Sequence, residues 1–252
     1  MSNKREREKR REERVAAERQ AGSSDRRQRL LKLGAGAVFL AIVVVVVLIV
    51  ATSGGGSGGD VNLEEKAEVN QLLAGIPQNE MVLGDPKAPV ELIEFGDLQC
   101  SVCKYYSEKI LPPIIESRVK KGEVKIEFRN FTIIDEDSVP AGAAALAAGR
   151  QGRGWSYLEL FYRNQGEEHS GYVNDEFLEA VAKGAAVKGL PQWNRERKKL
   201  VPQVEETTAE AQHLGFSGTP SFAVEGPKSR EMELLGTPES TGALEEAIEE
   251  AD

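Results

Sequence analysis

The chain has two cysteines, and both lie in one short motif, Cys100-Ser101-Val102-Cys103. Two thiols spaced by one helical turn face each other and can pass between a dithiol and a disulfide. The motif stands where an apolar run of strand length, Val90 to Phe95, gives way to a helix-compatible run from Cys100 to Ile110. At a helix start the backbone N–H groups lack partners and the dipole is positive, so a thiolate on the first cysteine is stabilised and its pKa falls. Cys100 is therefore assigned as the nucleophile that bonds to substrate. Cys103 is assigned as the resolving thiol that attacks the mixed disulfide from within.

Other uses of such a motif are disfavoured. A zinc site needs two further ligands, and the two histidines, His169 and His213, lie far apart without metal-ligand spacing. Haem attachment needs a histidine after the second cysteine, where this chain has Lys104. A structural disulfide across so small a loop would remove little chain entropy. Redox chemistry without a metal or cofactor is the expectation.

The surrounding sequence supplies elements to hold the pair. Gly84-Asp85-Pro86-Lys87-Ala88-Pro89 is turn chemistry ahead of the first strand. Pro112 and Pro113 interrupt the helix that follows the cysteines, and Val124 to Phe128 alternates apolar and charged residues as a second strand. Residues 138–214 show helical spacing, with Asn174 as a cap and Trp155 and Trp193 as packing residues. Strand signals return at Ser221 to Val224 and Met232 to Leu235, and Pro238 to Ala251 reads as a last helix whose Glu245, Glu246, Glu249 and Glu250 form a solvated face. His213 is read as a helix-surface residue. The order predicts an α/β fold with an all-helical insertion at about 136–214.

The net charge of −9 divides unevenly along the chain. Residues 1–32 hold twelve Lys/Arg and six Asp/Glu, which leaves 20 of the 32 basic and 35 of the 41 acidic residues beyond them, a net of −15. Such a remainder is no partner for nucleic acid. Residues 33–51 carry no charge and include five consecutive valines, a length suited to one transmembrane helix. The basic lead before it predicts an uncleaved signal-anchor with a cytoplasmic N-terminus and an extracytoplasmic catalytic domain. The expected organisation is a tail over 1–32, the membrane helix over 33–51, a Gly/Ser-rich linker with a short helix over 52–79, and the catalytic domain over 80–252.

Several separate stretches resemble the DsbA family of thioredoxin-fold oxidoreductases. These are the turn and strand from Gly84 to Phe95, the Cys100–Cys103 motif, Gln151 to Gln165 with Trp155 and Tyr157, and Leu214 to Phe222 around Gly218-Thr219-Pro220. The resemblance implies a thioredoxin-like fold and a cis Thr219–Pro220 bond that sets the Thr219 backbone beside Cys100, where it pairs with extended substrate peptides. It also implies that Glu94, six residues before Cys100, is the acidic residue beneath the redox pair, a carboxylate able to exchange a proton with Cys103. Family oxidants often carry Pro-His between the cysteines, where this chain has Ser101-Val102. Threonine before the proline is also common in isomerase relatives.

The expected activity is formation or exchange of disulfides in translocated, extended or unfolded cysteine-containing proteins, with electrons passing to a redox partner that the residues do not identify. The residues leave open a non-catalytic thioredoxin-like peptide-binding module and a membrane-linked thiol reductase.

Overall fold

Val90–Gly96 is buried at every position but Glu91, as a mostly apolar strand covered from two sides must be. It forms the central strand, β3, of a six-stranded sheet in this computed structural model, which describes residues 63–252 apart from Arg230. The tail, the apolar segment 33–51 and the Gly/Ser run lie outside the described residues. Among the described residues no helix is long and apolar enough to cross a membrane.

The elements in chain order are α1 (Leu63–Leu72), β1 (Gln78–Asn79), β2 (Val82–Leu83), β3, α2 (Ser101–Tyr105), a π-helical turn (Tyr106–Ile110), α3 (Leu111–Ser117), a 3-10 turn (Val119–Lys121) and β4 (Val124–Asn130). Five helices follow: α4 (Ser138–Gly149), α5 (Gly154–Arg163), α6 (Asp175–Gly184), α7 (Leu190–Lys199) and α8 (Val201–His213). The chain then returns to the sheet through β5 (Ser221–Glu225) and β6 (Glu233–Gly236) and ends in α9 (Thr241–Ala251). The sheet order is β1-β2-β4-β3-β5-β6, with β3 parallel to β4 and antiparallel to β5. The register pairs Glu94 with Phe128 on one side and with Phe222 on the other. That places an acidic side chain in the middle of the sheet.

Each face of the sheet has its own apolar layer. Leu92, Ile126, Phe128, Phe222 and Val224 join the large core that also contains α4, α5 and α9. Ile93, Phe95, Phe131 and Ala223 face the opposite way against Ala211 of α8, with Leu214 and Phe216 packed at the margin. Indole groups fasten the inserted helices: Trp155 Nε1 donates to the Met81 carbonyl beside β2 at 2.8 Å, and Trp193 Nε1 of α7 donates to the Ala144 carbonyl of α4 at 3.3 Å. Both rings are buried, as expected from their size.

Two expectations need correction. Pro112 and Pro113 do not interrupt the helix. They lie in the first turn of α3, immediately after the π turn, where a proline's missing N–H removes no i→i−4 bond. The acidic run of α9 is solvated at Glu246, Glu249 and Glu250 but not at Glu245, which is half-buried; Arg118 donates to Glu245 at 2.8 Å and to the exposed Glu249 at 2.7 Å. These bonds tie α9 to the end of α3. The strands β1 and β2, two residues each, are too short to carry a periodic signal in the sequence.

Candidate active site

Cys100 is the residue immediately before α2, in extended conformation, and its Sγ accepts the N–H of Cys103 at 3.3 Å. The thiol thus occupies the capping position that serine or aspartate takes at other helix starts. Both cysteines are reduced and buried. Cys100 Sγ also lies 3.4 Å from the carbonyl oxygen of Thr219, to which its thiol donates, and the Thr219–Pro220 bond is cis. Cys100, Cys103, Thr219 and Pro220 therefore come together across 119 residues of chain.

The two thiols are held in opposite states. The Cys100 pKa is lowered from 9.0 to about 6, mainly by the hydrogen bond from the Cys103 thiol, with further help from the Thr219 side chain and from the N–H groups of Cys103 and Val102, and against the effect of burial. The Cys103 thiol is pushed well above 9.0 by burial first and then by its bond to Cys100. At neutral pH the pair holds one proton, on Cys103. Cys100 is then the thiolate at the outer position, ready to attack, and Cys103 is a protonated donor behind it.

Beneath the pair, Glu94 is 1% exposed, and neither of its carboxyl oxygens has a hydrogen-bond partner in the protein. Burial, then the neighbouring Glu159 and Cys100, raises its pKa from 4.5 to about 8. It therefore keeps its proton at neutral pH, as a buried carboxyl without a cation does.

Residues not singled out from the sequence hold the motif in place. Asp97 is fully buried and accepts N–H groups from Gln99 at 2.9 Å, Ile133 at 2.8 Å and Ile134 at 3.0 Å, which locks the loop before Cys100 to the loop after β4. Gln165 Nε2 donates to the carbonyls of Leu98 (2.7 Å) and Cys100 (3.1 Å), and Glu168 accepts the Ser101 N–H at 2.8 Å. The helical insertion is thus part of the site's frame. Asp97, three residues ahead of the first cysteine, is a turn-type residue at a strand end and was the one legible hint. His169 pairs with Asp135 at 3.2 Å on the rim, and His213 is exposed at the end of α8. Val102 and Tyr105 are 47% and 54% exposed beside Cys100, an apolar margin to the reactive sulfur.

A thiolate capping a helix, a buried protonated partner and a cis-proline loop against the sulfur define a thioredoxin-fold thiol-disulfide oxidoreductase. A family model described as thioredoxin matches residues 77–250, and the chain belongs to that family. A probable disulfide bond formation protein D from Bacillus cereus is 29% identical over 168 residues, covering 65% of this chain and 77% of that one. The crystal structure of oxidised BdbD from Bacillus subtilis superposes with a TM-score of 0.61 at 22% identity, over 77% of this chain and 96% of that one. Alpha-DsbA1 of Wolbachia pipientis gives 0.59 at 22% identity, over 73% and 95%. These likenesses establish the thioredoxin-like fold with its helical insertion.

Proposed function

We propose that this protein forms or exchanges disulfides in extended, cysteine-containing polypeptides outside the cell membrane, to which residues 33–51 anchor it. Cys100 is the sulfur that bonds to substrate, and Cys103 resolves the mixed disulfide. The observation that carries this reading is the split between the thiols: a pKa of about 6 on the outer sulfur and one well above 9.0 on the inner. Such a split suits a pair that works in sequence, the outer sulfur attacking as a thiolate and the inner one held protonated until its turn. The backbone of Thr219 lies beside the sulfur, where a peptide in extended conformation can pair with it, and Val102 and Tyr105 offer that peptide apolar contact.

Glu94 serves as the proton acceptor and donor for Cys103. When Cys103 attacks, its proton passes to Glu94 once that carboxyl has given up its own, and when Cys103 leaves as a thiolate, the carboxyl returns a proton. Electrons leave through a redox partner of the membrane or a small oxidant.

Trapping tests the reading. Cys103→Ser should accumulate mixed disulfides between Cys100 and its substrates, seen on non-reducing gels and lost with dithiothreitol, and the double Cys100→Ser, Cys103→Ser variant should accumulate none and lose activity. Full biological activity of the double variant would leave the protein a binding module and end the enzymatic reading. Placement of the anchor is checked by fractionation and by protease access to the domain in intact cells.

A further inference from the structure

A second buried carboxylate lies behind the first. Glu159 of α5 is 0% exposed, and α5 packs across α2 and the π turn, the segment that carries Cys103 and Ser107. The Glu159 Oε2 accepts Arg163 Nη1 at 2.5 Å, whereas its Oε1 has no partner. Ser107 is four residues after Cys103 and so lies on the same side of the helical segment. Its hydroxyl faces the Glu159 carboxyl, yet it makes no direct hydrogen bond. Together with both oxygens of Glu94, four buried oxygens around Cys103 are unpaired. Buried oxygens without a partner in the protein are rare, and a row of them suits groups that take and release protons.

The far end of this row reaches solvent. Arg163 is 11% exposed, and Lys104, Glu108 and Glu65 gather around it, with Lys104 Nζ 3.9 Å from Glu108. We infer that Glu159 is a proton-relay residue: it connects Glu94, across Ser107, to solvent at the Arg163 surface, so that a proton released by Cys103 leaves the protein through the helical insertion. This rests on the proposed role of Glu94.

The step balances. With oxidised glutathione as the oxidant, the Cys100 thiolate displaces one glutathione thiolate and forms a mixed disulfide. Cys103 then attacks Cys100 Sγ, the Cys100–glutathione bond breaks, the second glutathione leaves as a thiolate with the electron pair, and the Cys103 proton passes to Glu94. Glu94 can accept it only after its own proton has gone to Glu159 and thence to solvent. The groups that set the proton affinity of Glu159 are Arg163 on α5, Ser107 and Glu108 on the π turn, and Glu94 on β3. Burial raises the Glu159 pKa, and Arg163 opposes it.

Stopped-flow reaction of the reduced protein with oxidised glutathione, in normal and heavy water and over a range of pH, separates the bimolecular attack by Cys100 from the unimolecular closure by Cys103. Glu159→Gln should leave the first phase within two-fold of wild type and slow the second at least five-fold at pH 7, with a larger solvent isotope effect and a displaced pH profile, and Glu159→Asp should restore part of the rate. Ser107→Ala, a small change that preserves the fold, should slow the second phase in the same way. Closure unchanged in both Ser107→Ala and Glu159→Gln while Glu94→Gln slows it would overturn the relay and leave Glu94's role intact. Closure unchanged in Glu94→Gln as well would remove both.

Discussion

The thiol of Cys100 and the carboxyl of Glu94 depart from their ordinary pKa values in opposite directions, and each departure can be measured. Titration of the reduced protein by thiolate absorbance should give a first midpoint near pH 6, from Cys100, with Cys103 silent until far more alkaline pH. A first midpoint near 8.5–9 would show that the helix start does not stabilise the sulfur. For Glu94 the folded pKa of about 8 exceeds the unfolded 4.5. The protonated carboxyl therefore costs nothing below pH 4.5, and the stability of the folded state is lost as pH rises through 8. Urea unfolding of wild type against Glu94→Gln should show the variant gaining a few kcal/mol on wild type between about pH 4.5 and 8 and no more above that. A difference independent of pH would place Glu94 in contact with solvent.

At the scale of elements, the site depends on how closely β3 approaches β4. A Cβ added to Gly96 would meet the Phe128 ring at 2.6 Å and the Glu94 carboxyl at 3.3 Å. Gly96→Ala should therefore destabilise the protein by roughly 1–3 kcal/mol, as overpacking does, and should also shift the Cys103-dependent closure rate, because the ring and the carboxyl must yield together. Unchanged stability and kinetics would mean that the strand has room to spare. The π turn acts at the same scale. It redirects the helix after Cys103 so that Tyr106 stacks on Phe222 at 5.6 Å and Ser107 turns toward α5. Nothing in the letters between Cys103 and Pro112 announces a wide turn, because an α-helix and a π turn have nearly the same apolar spacing over five residues.

At the scale of the molecule, the redox state and the fold are linked. The Cys100 pKa is depressed from 9.0 to about 6, so its thiolate stabilises the folded reduced form fully above pH 9, and that stabilisation is lost as pH falls through 6. Comparison of thermal or urea unfolding of the two redox forms should show the reduced protein gaining roughly 1–2 kcal/mol on the oxidised one between pH 5 and 7. The same linkage favours the dithiol and makes the disulfide the better oxidant. Equilibration with glutathione should place the potential between about −270 and −120 mV. A more reducing value would assign the protein to thiol reduction.

By itself the sequence determined the chemistry, the elements adjoining it and their order. Cys100 and Cys103 are one motif at one strand-to-helix junction, and the apolar runs at Val90–Phe95, Val124–Phe128 and Ser221–Val224 are long enough to be legible as strands. The motif at Gly218-Thr219-Pro220 pointed to the cis bond through resemblance. Only the tertiary structure decided which distant groups complete the site. Ser107, Glu159, Gln165 and Glu168 are ordinary polar letters in helices and loops, and nothing local marks them as buried or as part of the site. Their roles come from burial and proximity, and both depend on how the helical insertion folds back over the sheet.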